Sequence, residues 1–394
     1  MPLTLLSAGS NAHGQLGHSE TEDSHTFQPC NFEGFPPGTL PEGTTEIVNL
    51  ATGANHTIIA LRREKVELWA CGDGRAGQLG SWPPLGDSER TDVFRRLVLL
   101  MDGKEFEGFE VKNVAAGWET TYVVLSPPKV VEQAQNDVVL SMGADDWGDL
   151  GVGGKGAGKS KKNVNSEKRA WNRVAYDQVP ELEGRRPFRV TQIVAKQRHV
   201  LMLLLEVGTG RTWLIGWGAG RHGQISPQHA TSSVSSSSRN TLPAIVDRPQ
   251  VIFNGTSPML VGSAVGSQHS AVLTSSGDVL GLGSNRKGQL DFSSWKNVQS
   301  IDCTWNGTYA ILPGSVVVAT GSNTHGQLGH LAESPVDSSS AIRGPEFPPE
   351  VREMGIRKLA CGSEHVLTLW GEMGSSRARE VWAWGGNEHG NLGL

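Results

Sequence analysis

The hydrophobic positions of this chain fall into short runs bounded by glycine or by small polar clusters. "TIIAL" at 57–61, "TYVVL" at 121–125, "SAVLT" at 270–274 and "TYAIL" at 308–312 form one set. "ELWAC" at 67–71, "VVLSM" at 138–142, "TWLIGW" at 212–217, "VVVAT" at 316–320 and "EVWAW" at 380–384 form another. Such runs are rich in β-branched and aromatic residues and keep no 3.6-residue period, so they predict β-strands. The breaks between the sets, such as "SSGD" at 275–278 and "PGS" at 313–315, place glycine in hairpin turns.

Each strand of the second set runs into one recurring turn. It opens at Gly9, Gly72, Gly143, Gly218, Gly283, Gly321 and Gly385, and reads in its fullest form Gly9-Ser-Asn-Ala-His-Gly14-Gln-Leu-Gly17. Strands of the first set follow a second signature, exemplified by Ala51-Thr-Gly-Ala-Asn-His56 and Ala264-Val-Gly-Ser-Gln-His269. The same positions read Ala115 to Thr120, Val194 to His199, Asp302 to Gly307 and Ala360 to His365. A fixed period of strand hairpins that cannot bury their faces alone predicts sheets stacked against their neighbours. Radial closure removes the exposed edges, so an all-β, seven-bladed β-propeller of antiparallel blades is expected, with a linear solenoid as the competing architecture. Residues 1–394 are expected to form a single propeller domain. Long loop insertions are expected at 18–46, 152–187, 226–250 and 331–350, where Gly, Pro, Ser or charge dominates.

Composition sharpens this picture in a few places. The chain of 394 residues holds 50 glycines and 12 tryptophans but only 3 tyrosines, which implies many tight turns at fixed positions. A net charge of −5 weighs against attraction of the whole surface to nucleic acid, and direct nucleic-acid binding is not expected. No apolar run reaches membrane-spanning length, so no membrane association is expected and the cell interior is the expected location. Cys30, Cys71, Cys303 and Cys361 form no C-x-x-C pair; buried thiols are expected, not a disulfide framework or a zinc site.

Gly153 to Ser160, "GGKGAGKS", matches the phosphate-loop pattern. That motif works chemically between a parallel strand and a helix N-terminus, whereas here it follows a hairpin strand and leads into the polar stretch "KKNVNSEKRAWNR". A flexible loop is the plain reading, and its sharper form is a basic arm of Lys155, Lys159, Lys161, Lys162, Lys168 and Arg169 that meets RNA phosphates or an acidic partner. His56, His199, His269 and His365 share one repeat position. Equivalent positions are spread around a ring, so each is expected to bond locally to backbone and not to join a metal site. No catalytic set stands out.

Two departures carry more information. Where other copies have Ala54 or Ser363, this chain has Trp118 and Trp305, followed by Glu119 and Asn306. These residues are expected to share one propeller face with Asn55, Arg198, Gln268 and Glu364. Each indole is either an anchor for a partner or a lid packed over a neighbouring blade.

The paired signatures resemble, over essentially the whole chain, the regulator-of-chromosome-condensation repeat family. That resemblance implies a seven-bladed propeller used as a binding platform. Within the family, "WACGDGRAGQL" at 69–79, "AAGWETTYVVL" at 115–125, "CTWNGTYAIL" at 303–312 and "ACGSEHVLTLW" at 360–370 are similar to the fungal alpha-tubulin suppressor group. The resemblance implies a non-enzymatic regulatory subunit that pairs with a small CSL-type zinc protein of the diphthamide pathway. The pair would support Elongator-dependent wobble-uridine tRNA modification and diphthamide synthesis on elongation factor two, with the Elongator complex a further candidate partner. No cofactor is implied for the chain itself, the metal belonging to the partner, and the cytoplasm and nucleus are the implied locations. The alternative is guanine-nucleotide exchange on a Ran-type small GTPase, against which the acidic net charge stands. In this family the two termini join to close the ring. With seven first signatures and six second ones, the first blade is expected to lack a second-signature strand.

Overall fold

The computed structural model describes residues 3–80, 90–99, 106–129, 135–154, 171–226, 242–330, 344–371 and 379–393. Its strands form seven antiparallel sheets in chain order, the blades of a propeller. Blade one pairs Leu6–Gly9 with Ser24–Pro29. Blade two runs Glu46–Thr52, His56–Arg62, Val66–Asp73 and Arg90–Leu97. Blade three comprises Glu110–Ala116, Thr120–Ser126, Val138–Gly143 and Asn172–Arg173, and blade four Phe188–Ala195, His199–Glu206, Thr212–Ala219 and Ile245–Gly255. The last three blades have three strands each: Leu260–Val265, His269–Thr274 and Val279–Gly283 in blade five, and Ser300–Cys303, Gly307–Leu312 and Val316–Gly321 in blade six. Blade seven comprises Ile356–Cys361, His365–Trp370 and Glu380–Gly385, preceded by the short helix Pro349–Met354.

The second strand of each blade explains its unbroken apolar run. His56–Arg62 and Thr120–Ser126 are buried at every position but the last, because both faces of the sheet meet a neighbouring blade. Ile58 and Leu68 of blade two pack on Val123 and Leu140 of blade three, and Leu201 and Leu214 of blade four on Val265 and Val272 of blade five. Each such side chain withdrawn from water stabilises the ring by about 1.5–3 kcal/mol. Between blades seven and one, Gly393 lies against the Phe27 ring and the other described contacts are polar. His389 Nδ1 lies 2.8 Å from Asp23 Oδ2, and the turn at Gly390 abuts the backbone of His25.

The segments read from sequence as loop insertions need correction. Residues 18–46 contain Ser24–Pro29, the outer strand of blade one, and 226–250 run into the outer strand of blade four. Within 152–187, Asn172–Arg173 forms the outer strand of blade three, while Tyr176, Val179 and Leu182 are buried in the core between blades three and four. In 331–350, Phe347 is buried against Trp370, Trp382 and Trp384. Outer strands lie half in solvent, so their polar sequences carry no apolar run to announce them. Cys30, Cys71 and Cys303 are buried free thiols and Cys361 is half-buried. Among the described residues no group of His, Cys, Asp and Glu converges to hold a metal.

Candidate functional site

The two signatures dock on each other within each blade, which sets the geometry of one end of the ring. The N–H after the opening glycine of the first signature donates to the carbonyl of the second-signature residue that precedes the histidine position. Asp73 donates to Asn55 at 2.7 Å, Ala144 to Glu119 at 2.9 Å and Ala219 to Arg198 at 2.7 Å. Ser284 donates to Gln268, Ser322 to Asn306 and Gly386 to Glu364 in the same way. The opening glycine is required by this approach. At Gly143, φ is +126° and a Cβ would stand 2.1 Å from the Glu119 carbonyl oxygen. All six second-signature turns therefore lie beside first-signature turns at the same end of the propeller.

Around the axis these turns bond to one another. Ala54 N–H donates to Trp118 O (3.0 Å), Trp118 N–H to Gln197 O (3.2 Å), Ser267 N–H to Trp305 O (2.8 Å) and Trp305 N–H to Ser363 O (2.8 Å). The Ser267 hydroxyl closes the step between the two groups through Gln197 Oε1 at 2.6 Å. Trp118 of blade three and Trp305 of blade six come from well-separated parts of this ring, and their rings meet with centroids 6.0 Å apart. Trp118 keeps 37% of its surface exposed. A cavity of about 420 Å³ lies beside the pair, walled by Asn55, Gln197 and Ser363 and reaching His365 and Asn391.

The other expected face residues sit further out. Glu119 shares a patch with Asp73, Arg75, Asp146 and Arg198; burial, then Asp146, raises its carboxyl above the ordinary value. Arg198 lays its guanidinium 4.3 Å over the Trp147 ring, and Glu364 meets His325 Nδ1 at 2.7 Å. Asn55 lines the cavity, while Glu119, Arg198, Gln268, Asn306 and Glu364 do not. The basic arm, Lys155, Lys159, Lys161, Lys162, Lys168 and Arg169, lies outside the described residues. Of the phosphate-loop pattern only Gly153 and Gly154 are described, and both donate their N–H groups to Asp247, whose carboxylate takes the Gly154 bond at 3.2 Å.

The histidines lock blades together, which corrects the expected bond to local backbone. His56 Nε2 lies 3.0 Å from Thr121 Oγ1, His199 Nε2 2.9 Å from Ser270 Oγ, and His269 Nε2 3.1 Å from Thr308 Oγ1, each on the next blade. Thr121 spends its hydroxyl proton on Gln78 O (2.7 Å), so His56 must donate through Nε2–H, leaving Nδ1 bare. A protonated ring is excluded by burial, which pushes His56 and His269 down to about 4 and His199 to about 3. His365 lowers to about 4 by burial and then the nearby Lys196 cation; its ring makes no such bond to a next-blade hydroxyl among the described residues.

Lys196 was not singled out from sequence, although the signal is plain: it stands where Gly53, Gly266 and Gly362 stand in other copies. Its ammonium crosses the axis to the carbonyls of Cys303, Cys361 (3.1 Å) and Gly362 (3.3 Å), tying blade four to blades six and seven.

Seven antiparallel sheets in chain order, joined by two alternating glycine signatures, define a β-propeller built from glycine-turn repeats. Residues 264–289 match the regulator of chromosome condensation (RCC1) repeat. It is 26% identical over 417 residues to the secretion-regulating guanine nucleotide exchange factor of Bos taurus, covering 99% of this chain and 75% of that protein. It is also 26% identical to an RCC1 repeat-containing protein of Schizosaccharomyces pombe, over 98% of this chain and 88% of that one. Among solved structures, human WBSCR16 superposes with a TM-score of 0.68 at 18% identity, covering 100% of this chain and 92% of the other. Prp20p of Saccharomyces cerevisiae follows with 0.53 at 20% identity, over 77% of this chain and 64% of that one.

Proposed function

We propose that this chain is a non-enzymatic docking subunit that binds a protein partner on the end of the ring carrying Trp118 and Trp305. The observation that carries the reading is the meeting of these two indoles at 6.0 Å, at turn positions where blades two, five and seven carry Ala54, Ser267 and Ser363. Large, rigid aromatic groups of this kind supply much of the energy of protein interfaces. The partner we propose is a small CSL-type zinc protein, and the pair would serve Elongator-dependent wobble-uridine tRNA modification and diphthamide synthesis on elongation factor two. The resemblance of residues 69–79, 115–125, 303–312 and 360–370 to the fungal alpha-tubulin suppressor group supports that choice. On this reading the chain needs no cofactor, zinc enters only with the partner, and the complex works in the cytoplasm and nucleus.

A second reading, nucleotide exchange on a Ran-type small GTPase, is favoured by the names of the bovine and mouse relatives, both secretion-regulating guanine nucleotide exchange factors. One set of titrations separates the two. Calorimetry with the purified zinc protein should show binding that Trp118→Ala and Trp305→Ala each weaken by about 2 kcal/mol, with melting temperatures unchanged. Equal affinity with lowered melting temperatures would make the indoles packing residues. Release of GDP from a Ran-type GTPase, without binding of the zinc protein, would replace the first reading by the second.

A further inference from the structure

The first-signature turns share an internal frame that leaves two side chains free to vary. In five of them a glutamine folds back and its Oε1 accepts the N–H two residues earlier: Gln15 from His13 (2.9 Å), Gln78 from Ala76 (3.0 Å), Gln224 from His222 (3.0 Å), Gln289 from Lys287 (2.8 Å) and Gln327 from His325 (2.7 Å). In blade three the glutamine position is Asp149, which makes no such bond among the described residues and whose Oδ1 is left without a partner. The frame uses only the backbone of the residue paired with the glutamine, so that side chain and the one before it are not dictated by the turn. Their charge nevertheless follows a pattern around the ring. Blade four carries Arg221 and His222 there and blade five Arg286 and Lys287, whereas blade three carries Asp146 and blade seven Glu388.

The basic side chains of the other blades have acidic neighbours. Arg75 is held by Asp73 at 2.6 Å, His325 Nδ1 lies 2.7 Å from Glu364 and His389 Nδ1 lies 2.8 Å from Asp23. Arg221, Arg286 and Lys287 are exposed and make no ion pair among the described residues. The carboxylates of the surrounding elements are engaged elsewhere: Asp291 accepts from Asn285 Nδ2 at 2.7 Å, and Asp247 accepts Gly154 N–H at 3.2 Å. The two blades present their charge as one surface. Burial, then Arg286 of blade five and Arg221 of blade four, lowers the His222 ring below its ordinary value. Leu242, 47% exposed, packs on Gly223 of the same blade-four turn and adds an apolar neighbour.

This sector lies between the two indoles, because blades four and five separate Trp118 of blade three from Trp305 of blade six. Their backbones join it through Trp118 N–H to Gln197 O and Ser267 N–H to Trp305 O. On its flanks the same end of the ring carries Glu119 and Asp146, and Glu364 and Glu388. A polyanion longer than the sector meets like charge on both sides, whereas a short acidic segment of a folded protein fits between them.

We infer that Arg221, Arg286 and Lys287, with Leu242 beside them, form the docking surface for an acidic segment of the protein partner. The partner's use of it rests on the docking reading above; the surface itself is tested without that partner. Fluorescein-labelled Glu-Glu-Leu-Glu-Glu-amide is titrated into the full chain and followed by anisotropy, with Gln-Gln-Leu-Gln-Gln-amide as the neutral isostere and a uridine heptamer as the nucleic-acid probe. The acidic peptide should bind saturably and at least about tenfold tighter than the isostere, and should weaken as sodium chloride rises. Arg221→Gln combined with Arg286→Gln should weaken it by at least about tenfold with the melting temperature unchanged, since neither guanidinium bonds to the fold. Equal binding of the two peptides, undiminished binding by the double variant, or tighter binding of the uridine heptamer than of the acidic peptide would overturn the assignment. Binding of the acidic peptide without binding of the zinc protein would remove that partner and leave the surface standing. Binding of the zinc protein with equal affinity by parent and double variant would remove the surface and leave the partner.

Discussion

Lowering the pH from 7 to 5 should destabilise this propeller by a definite amount. His56, His199 and His269 are buried, and their rings must stay neutral to donate Nε2–H to the next blade. Burial holds them at about 4, 3 and 4, against an ordinary value of 6.5. Between pH 6.5 and 4 the unfolded chain therefore binds protons that the folded one refuses, and stability falls as the pH falls. At about 1.4 kcal/mol per pH unit, the 1.5 units from 6.5 to 5 cost about 2 kcal/mol for each ring, or about 6 for three. His365 is left out of this total because it is only half-buried.

Asp149 opposes the histidines. Its folded value, about 8, lies above the ordinary 3.8, so across the same interval the folded state holds a proton that the unfolded state has lost. Two pH units restore about 3 kcal/mol, leaving a net loss of about 3 kcal/mol between pH 7 and 5. Asp145 and Glu119, both raised, act in the same direction as Asp149, whereas Asp23 and Asp73, both lowered, matter only at more acid pH. Urea unfolding followed by tryptophan fluorescence measures the difference. The decisive comparison is Asp149→Gln, which removes the opposing group and should deepen the acid loss towards about 6 kcal/mol. A variant that loses no more stability than the parent over this interval would refute the assignment of a neutral, protonated Asp149. Stability unchanged in both would refute the buried, uncharged histidines.

Other variants test individual links. Thr121→Val keeps the shape but strips His56 Nε2 and Gln78 O of their shared hydroxyl, and should cost about 2–4 kcal/mol in urea unfolding. Lys196→Met leaves the carbonyls of Cys303, Cys361 and Gly362 without their cation and should cost about 2–3 kcal/mol. The same change should move the His269 and His365 titrations upward by NMR, because Lys196 helps hold both down.

The ring was legible in the sequence because its turns tolerate so little. A Cβ at Gly143 would strike the Glu119 carbonyl, so the opening glycine recurs in all seven first signatures. The outer strands have no comparable constraint. Ser24–Pro29 is exposed at five of its six positions, and its composition could as well belong to a loop. The histidine locks were half legible: Thr121, Ser270 and Thr308 stand directly after the repeat position in the sequence. Their partners are on the preceding blade, however, and only the order of sheets around the axis reveals the pairing. Sequence placed Trp118 and Trp305 on one face without showing that they touch, since that depends on the radius of the ring and not on any local pattern.

The departures from the repeat all fall at the same end of the propeller, and this is what separates function from architecture here. A repeat position whose bonds are satisfied in five or six blades needs no exception for the sake of folding. Lys196 replaces a glycine, yet recovers its cost by binding three carbonyls across the axis, so it is explained by stability. Asp149 replaces a glutamine, loses the turn bond and gains an unpartnered buried oxygen, so stability does not explain it. Trp118 places a large apolar ring in a turn and leaves more than a third of it in water. The two exceptions that cost the fold something belong to the same second-signature and first-signature turns of blade three, joined by the Ala144 to Glu119 hydrogen bond. Costly residues gathered on one pair of turns, next to the Trp305 ring, point to selection for what that surface meets, because selection for the ring alone would have restored small residues and glutamine there.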